Sequence, residues 1–341
     1  MPIALFPWNE YWWFYGLFVL LVAGLLALDL GVFHRKDQAV SFREATTWVA
    51  VWVVLALIFN YALYRYSLIA FAADPRLAAL PGFDAAAAAR RTALEFLAGY
   101  LVEESLSVDN VFVFVLVFRY FAIPARFQHR VLFFGILGAM LFRGIFISAG
   151  AVLMQYHWVV IGFGLFLLFT AYRMLKGGDE EADPESNPAL RLMRRFMPVT
   201  QYLHGHSFLV REAGRWVATP LLVVLVAIET ADVVFALDSV PAVYGLTHEP
   251  LIVFTSNIFA ILGLRSMYFV LAGAIDRFWL LRHGVALVLL FVGIKMVGVA
   301  KWIGYDISIG LSLGVIVTTL AASILLSLAF PRPAEPPEEI E

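Results

Sequence analysis

The sequence predicts an all-α membrane protein of about nine transmembrane helices, six of them forming two three-helix units related by an inverted repeat. Three observations carry that prediction. The chain has 341 residues, 62% of them hydrophobic and 15% charged, with a mean hydropathy of +0.84, whereas a soluble domain is about 45–50% apolar and about 25% charged. Its apolar runs match the ~20 residues a helix needs to cross a hydrocarbon core ~30 Å thick. Two polar intrusions in those runs also match each other at a fixed offset.

Composition excludes several classes of function. With no cysteine in the chain, disulfides, thiolate metal sites, iron–sulfur ligands and redox catalysis at sulfur are all excluded. The basic residues sit in short inter-helix loops, so no nucleic-acid partner is expected. There is no GxxxxGK[ST] loop for ATP. The acids imitate an aspartyl protease pair in outline only, since no cleavage motif accompanies them, and no enzymatic activity is expected.

Nine spans are read, at 12–33, 44–66, 93–118, 130–152, 158–176, 218–243, 251–274, 283–301 and 306–330. The N-terminus lacks the basic region of a signal peptide. Trp8, Tyr11, Trp12, Trp13 and Tyr15 read instead as an interfacial aromatic belt leading into the first span. Arg35, Lys36 and Arg43 follow span one; Arg119, Arg126 and Arg130 lie between spans three and four; Arg191, Arg194, Arg195, Arg211 and Arg215 lie between five and six; Arg277 and Arg282 lie between seven and eight. The loops around Tyr156 and Tyr244 carry no Lys or Arg. By the positive-inside rule the N-terminus is outside and the C-terminus cytoplasmic. Segment 67–92 is discordant, because Arg76, Arg90 and Arg91 fall on its external side; it is read as an Ala-rich external or interfacial helix.

The organisation that follows is 1–92, two N-terminal spans and the Ala-rich segment; 93–176, the first three-helix repeat; 177–217, a cytoplasmic loop; 218–301, the second repeat; 302–330, a final span; and 331–341, a disordered tail. Within the loop, GGDEEADPESNP is acidic and mobile in character. HSFLVREAGRWVAT suggests a hairpin about Glu212-Ala213-Gly214. His204 and His206 read as ordinary loop histidines rather than metal ligands.

The repeat rests on three landmarks. Glu103 and Asp109 recur as Asp232 and Asp238 at an offset of 129, and Asn110 then falls on Ser239. Arg143 in GAMLFRG recurs as Arg265 in AILGLRS, and Arg173-Met174 as Lys295-Met296, both at an offset of 122. Each unit holds an odd number of helices, so the second enters the membrane from the opposite side, the design of secondary transporters.

An acid at the centre of a membrane helix costs about 2.5–3.5 kcal/mol. Glu103, Glu104, Asp109, Glu229, Asp232 and Asp238, all charged and unpaired, would together approach roughly 15–20 kcal/mol, and Asp29 in span one adds to this. Protons, a buried Arg or Lys, or a bound cation must compensate. Arg143 and Arg265 at mid-depth can neutralise at most two of these acids. The rest need protons or a metal. Carboxylates with Asn110, Ser105, Ser107 and Ser239 make an oxygen-only donor set, with no Cys and no mid-span His, which suits Mg, Ca or Mn. On an ideal helix Glu103 and Asn110 face alike, as do Asp232 and Ser239, while Asp109 and Asp238 sit about a third of a turn away. A local unwinding near Pro241, or at the equivalent point in span three, is expected to bring them round. A dry site disfavours a bare charge, so one site can take a cation or protons in turn. Glu104 has Val233 as its repeat partner and Glu95 lies near the outer end of its span; both are read as structural, Glu95 as simply interfacial.

ESLSVDNVFVF, ADVVFALDSVPAV and TSNIFAILGLRSMYF resemble the TerC family of membrane proteins. LALDLGVF, IFN and FLLFTAYRM resemble its Alx-like branch, and the likeness runs from about residue 15 to 325. The resemblance implies a small transporter of inverted three-helix repeats in a bacterial inner membrane, linked to manganese export, alkaline-pH responses and, by the family name, tellurite resistance. It implies metal-site roles for Glu103, Asp109, Asn110, Asp232, Asp238 and Ser239, with Asp29, Glu229, Arg143 and Arg265 accessory. The expected activity is export of a divalent cation, manganese first, by proton antiport, with no resident cofactor. The alternative is a non-transporting scaffold or assembly factor whose interaction surface is the 177–217 loop.

Overall fold

A computed structural model of the chain describes residues 4–28, 41–176, 187–212, 214–272, 278–298 and 307–330. It is almost wholly helical, with eleven helices among those residues. In chain order they are α1 (Trp8–Leu28), α2 (Phe42–Ala73), α3 (Pro75–Ala78), α4 (Ala85–Tyr120), α5 (Ala125–Leu153), α6 (His157–Leu175), α7 (Pro188–Phe196), α8 (Pro220–Tyr244), α9 (Pro250–Ala272), α10 (Leu281–Val297) and α11 (Ile309–Ala329). A two-stranded antiparallel sheet, β1 (Leu209–Glu212) and β2 (Arg215–Ala218), pairs Glu212 with Arg215 around the expected turn.

Local signals set the helix starts. Ser41 caps α2 by accepting from the Glu44 amide at 3.2 Å, and Glu44 completes the Ser-x-x-Glu sequence of a capping box. Asp84 caps α4 through the amides of Ala86 and Ala87 at 2.8 and 3.1 Å. Pro188 and Pro220 stand in the first turns of α7 and α8, where a missing N–H costs nothing.

The Ala-rich stretch is helical, as expected, and is continuous with the helix that follows it. It forms the first turns of α4, because Ala is the strongest helix former and Asp84 supplies the cap. Two of the discordant arginines there are neutralised locally. Arg76 pairs with Asp74 at 2.6 Å and Glu10 at 3.2 Å, and Arg91 with Glu95 at 2.7 Å. Glu95 is therefore more than an interfacial acid: it is buried, and its second oxygen accepts from the Thr247 hydroxyl at 2.6 Å.

Seven helices among the described residues are long and apolar enough to cross a membrane: α1, α2, α5, α6, α8, α9 and α11. The chain is thus an integral membrane protein with multiple apolar helices. The other two expected spans fall on α4, which carries Glu95, Glu103, Glu104 and Asp109 along its length, and on α10, which has 17 residues.

Helix α9 is the central post, buried along nearly all its length against α2, α4 and α5. α4 packs on α9, α5 on α8 and α6 on α10; α4 also touches α8, and α5 touches α9. Close approach depends on small residues. A Cβ on Gly135 of α5 would touch Ile228 of α8 at 3.4 Å, and one on Gly138 would overlap the Glu229 carboxylate. The expected unwinding in the acid-bearing spans does not occur. α4 and α8 run unbroken through them. Pro241 lies three residues before the end of α8, so only the last turn feels its missing donor.

Candidate functional site

The site is built around a fully buried cation. Arg143 of α5 has no exposed surface. Its guanidinium forms an ion pair with Glu103 of α4 and another with Asp232 of α8, the latter at 3.2 Å. A third contact, at 3.4 Å, goes to the side-chain oxygen of Asn257 on α9. Asn257 is turned toward the arginine because its own amide nitrogen donates to the Val253 carbonyl at 2.9 Å. Four helices therefore meet on one side chain.

Two carboxylates face one guanidinium, so the group carries a net charge of −1 when all three are ionised. Oε2 of Glu103 and Oδ2 of Asp232 accept no hydrogen bond, and Nε of Arg143 donates none. Buried ion pairs gain from Coulomb attraction only when the remaining valences are met. Here they are not met, and the surplus is negative.

Asp109 and Asp238 form the second grouping. Each is six residues beyond its partner in the Arg143 cluster, which turns it about a third of a turn around its helix. The two lie within electrostatic reach of each other, Asp109 also of Arg282 at the start of α10, and Asp238 also of Arg143. Asn110 and Ser239 are buried beside them, and Nδ2 of Asn110 and Oγ of Ser239 have no hydrogen-bond partner. Ser107 Oγ is likewise buried and unpartnered, whereas Ser105 donates to the Val102 carbonyl at 2.7 Å.

Glu229 lies over Gly138 of α5 and within electrostatic reach of Asp232. Glu104 points away from the Arg143 cluster, toward Tyr100 of its own helix and Gly263 of α9. Arg265 is buried and lines a cavity of about 10 Å³ together with Asp232, the scale of a single water. Lys295 donates to Ser312 at 3.3 Å. Asp29 lies outside the described residues. His204 pairs with Glu212 at 3.3 Å and His206 packs edge-on against Phe127, so the two do not converge.

Among the described residues, no group of three or more His, Asp or Glu side chains converges tightly enough to hold a metal ion. Glu103 and Asp232 share Arg143, while Asp109 and Asp238 lie within electrostatic reach of each other. Asn257 is the participant the sequence reading missed. Its signal was the run Thr255-Ser256-Asn257 inside an otherwise apolar helix, eight residues before Arg265.

Comparison with known proteins gives a consistent picture. The model of the integral membrane protein TerC family matches residues 88–335. Uncharacterized membrane protein STKORF319 of Myxococcus xanthus is 46% identical over 318 residues, covering 93% of this chain and 92% of the relative. Alx of Escherichia coli (strain K12), whose name describes a candidate membrane-bound redox modulator, is 42% identical over 92% of this chain and 93% of its own length. The chloroplastic thylakoid membrane protein TERC of Arabidopsis thaliana is 43% identical over 69% of this chain and 61% of its own length. No solved structure matches.

Proposed function

The chain belongs to the TerC family of integral membrane proteins, and on that footing we propose that it exports a divalent metal cation, manganese first, from the cytoplasm of a bacterium in exchange for protons. The observation that carries this reading is the Arg143 cluster. A buried internal cation sits between two carboxylates from different helices, and free acceptor oxygens remain on both. A divalent cation would take those oxygens, with Asp109, Asp238, Asn110 and Ser239 the next donors along α4 and α8. Arg143 would hold the acids together once the metal has left. Protons would serve the same purpose at the acids the arginine does not reach. The donors are all oxygen, as a hard divalent cation requires.

The same reading has nine spans, the N-terminus outside and the C-terminus inside, in the inner membrane. It also makes α4–α6 and α8–α10 an inverted repeat. The packing supports this: exchanging the two triplets maps α4 on α9 onto α8 on α5, and sends α6 on α10, α4 on α8 and α5 on α9 each to itself. The residues nearest such an axis should be matched pairs: Glu103 and Asp232 converge on Arg143, and Asp109 lies within electrostatic reach of Asp238. The name of the Escherichia coli relative speaks of redox. Without cysteine this chain has no thiol couple of its own, so a redox effect here would come through the cation it moves.

Expression of wild type and Asp109→Asn in a manganese-sensitive bacterium, with cell manganese measured directly, tests the reading. Wild type should lower cell manganese and the variant should not. Equal protection by both would favour the scaffold alternative, which does not need the acid.

A further inference from the structure

We infer that α7 and the β1–β2 hairpin form an interfacial element that lies on the membrane surface and binds anionic phospholipid headgroups. Helix α7 is held at Leu190, which is buried, and faces outward with two adjacent stripes, Leu192 with Phe196 and Arg191 with Arg195, each spaced i, i+4. Phe196 is 78% exposed. The hairpin repeats the pattern in a different element. Arg211 pairs with Trp216 across the strands, so both project from the same face, and Trp216 is 60% exposed. An apolar stripe beside an arginine stripe is the design of a helix that sinks its apolar side among acyl chains and leaves its cations at the phosphates.

Two observations choose lipid over another occupant. The first is charge. Residues 187–219 hold five arginines and one acid, Glu212, with no lysine or aspartate. The second is position. Phe208, next to β1, packs edge-on against Phe134 at 5.1 Å, and Arg130 lies over the Phe208 ring at 5.4 Å. Phe134 is 39% exposed on the flank of α5, a candidate membrane-spanning helix. The element is therefore fastened to a lipid-facing flank near the end of a span, at headgroup depth, rather than held out in solvent.

The absence of native cysteine allows clean single-site labelling. Phe196→Cys and Trp216→Cys, each carrying an environment-sensitive fluorophore, are placed in lipid discs of phosphatidylcholine alone or mixed with phosphatidylglycerol. A nitroxide-bearing lipid should quench both labels in the mixed discs and much less in phosphatidylcholine, and inorganic phosphate added to phosphatidylcholine discs should not substitute. Arg191→Gln with Arg195→Gln should weaken the effect by about fivefold per arginine. Two label sites, each checked for wild-type thermal stability, guard against a misfolded variant. Labels open to a water-soluble quencher in both discs would overturn the proposal. So would equal lipid quenching in both, or shielding seen only in native membranes, which would mean a protein partner.

Discussion

Glu103 and Asp232 stand 129 residues apart in the chain and meet on one buried guanidinium, that of Arg143. They are one of the two acid pairs that the internal match of the sequence sets in register. Their meeting turns a pattern in the sequence into a physical site, with an arginine where an exported cation would stand.

Removing the arginine should be far worse than removing either acid. Arg143→Met leaves two carboxylates buried without a counter-charge, a loss of about 3–5 kcal/mol. Glu103→Gln and Asp232→Asn each leave Arg143 one carboxylate and should cost less. Arg143→Met combined with both neutral acids should recover much of the loss. Thermal unfolding in detergent reads all five proteins, and additive losses across the series would show that the three groups do not act as a unit.

Gly138→Ala should displace the Glu229 carboxylate, which stands where the new methyl would go; because that carboxylate ends a flexible side chain, the loss of stability should stay below about 1 kcal/mol. Shortening that side chain with Glu229→Ala in the same protein should relieve the overlap. A loss of several kcal/mol, restored by Glu229→Ala, would mean instead that the carboxylate is held fixed against Gly138.

Much of this was legible in the sequence. The buried acids and the two buried arginines could be read, because charge inside an apolar run is costly and therefore conspicuous, and the hairpin could be read from its turn residues. The helical reading of the Ala-rich stretch was legible too, since Arg90 and Arg91 ride on the first turns of α4; what the sequence did not show is that this helix continues without a break into the acid-bearing span. The expected unwinding at Pro241 failed because a proline so near a helix end disturbs little. Asn257 was hidden for another reason: its role depends on α9 packing beside α5, and no periodicity in one helix reports its neighbour.

The connection between α8 and α9 should respond to pH through Glu249. Its carboxylate accepts from the amides of Leu5 at 2.8 Å and Phe6 at 3.3 Å, clipping the N-terminal segment to the turn before α9. Burial raises its pKa above the ordinary carboxylate value; the charge of Glu95 adds to this, and the two amides and Arg91 oppose it. A raised folded-state pKa means the folded protein holds the proton more tightly than the unfolded chain. That contribution is present below the unfolded pKa and is lost as pH rises through the folded one. Stability of Glu249→Gln should therefore fall less than wild type between acid and neutral pH. Parallel pH curves for the two proteins in thermal unfolding would contradict this.

The most direct test of the central claim is manganese uptake into inside-out membrane vesicles, with and without a pH gradient, comparing wild type with Asp109→Asn and Asp238→Asn. The account predicts uptake by wild type, stimulation by the gradient, and loss of uptake in both variants. Wild-type protein, folded and inserted, that moves no manganese above empty vesicles would contradict manganese export, and uptake retained in both variants would remove the paired acids from the path.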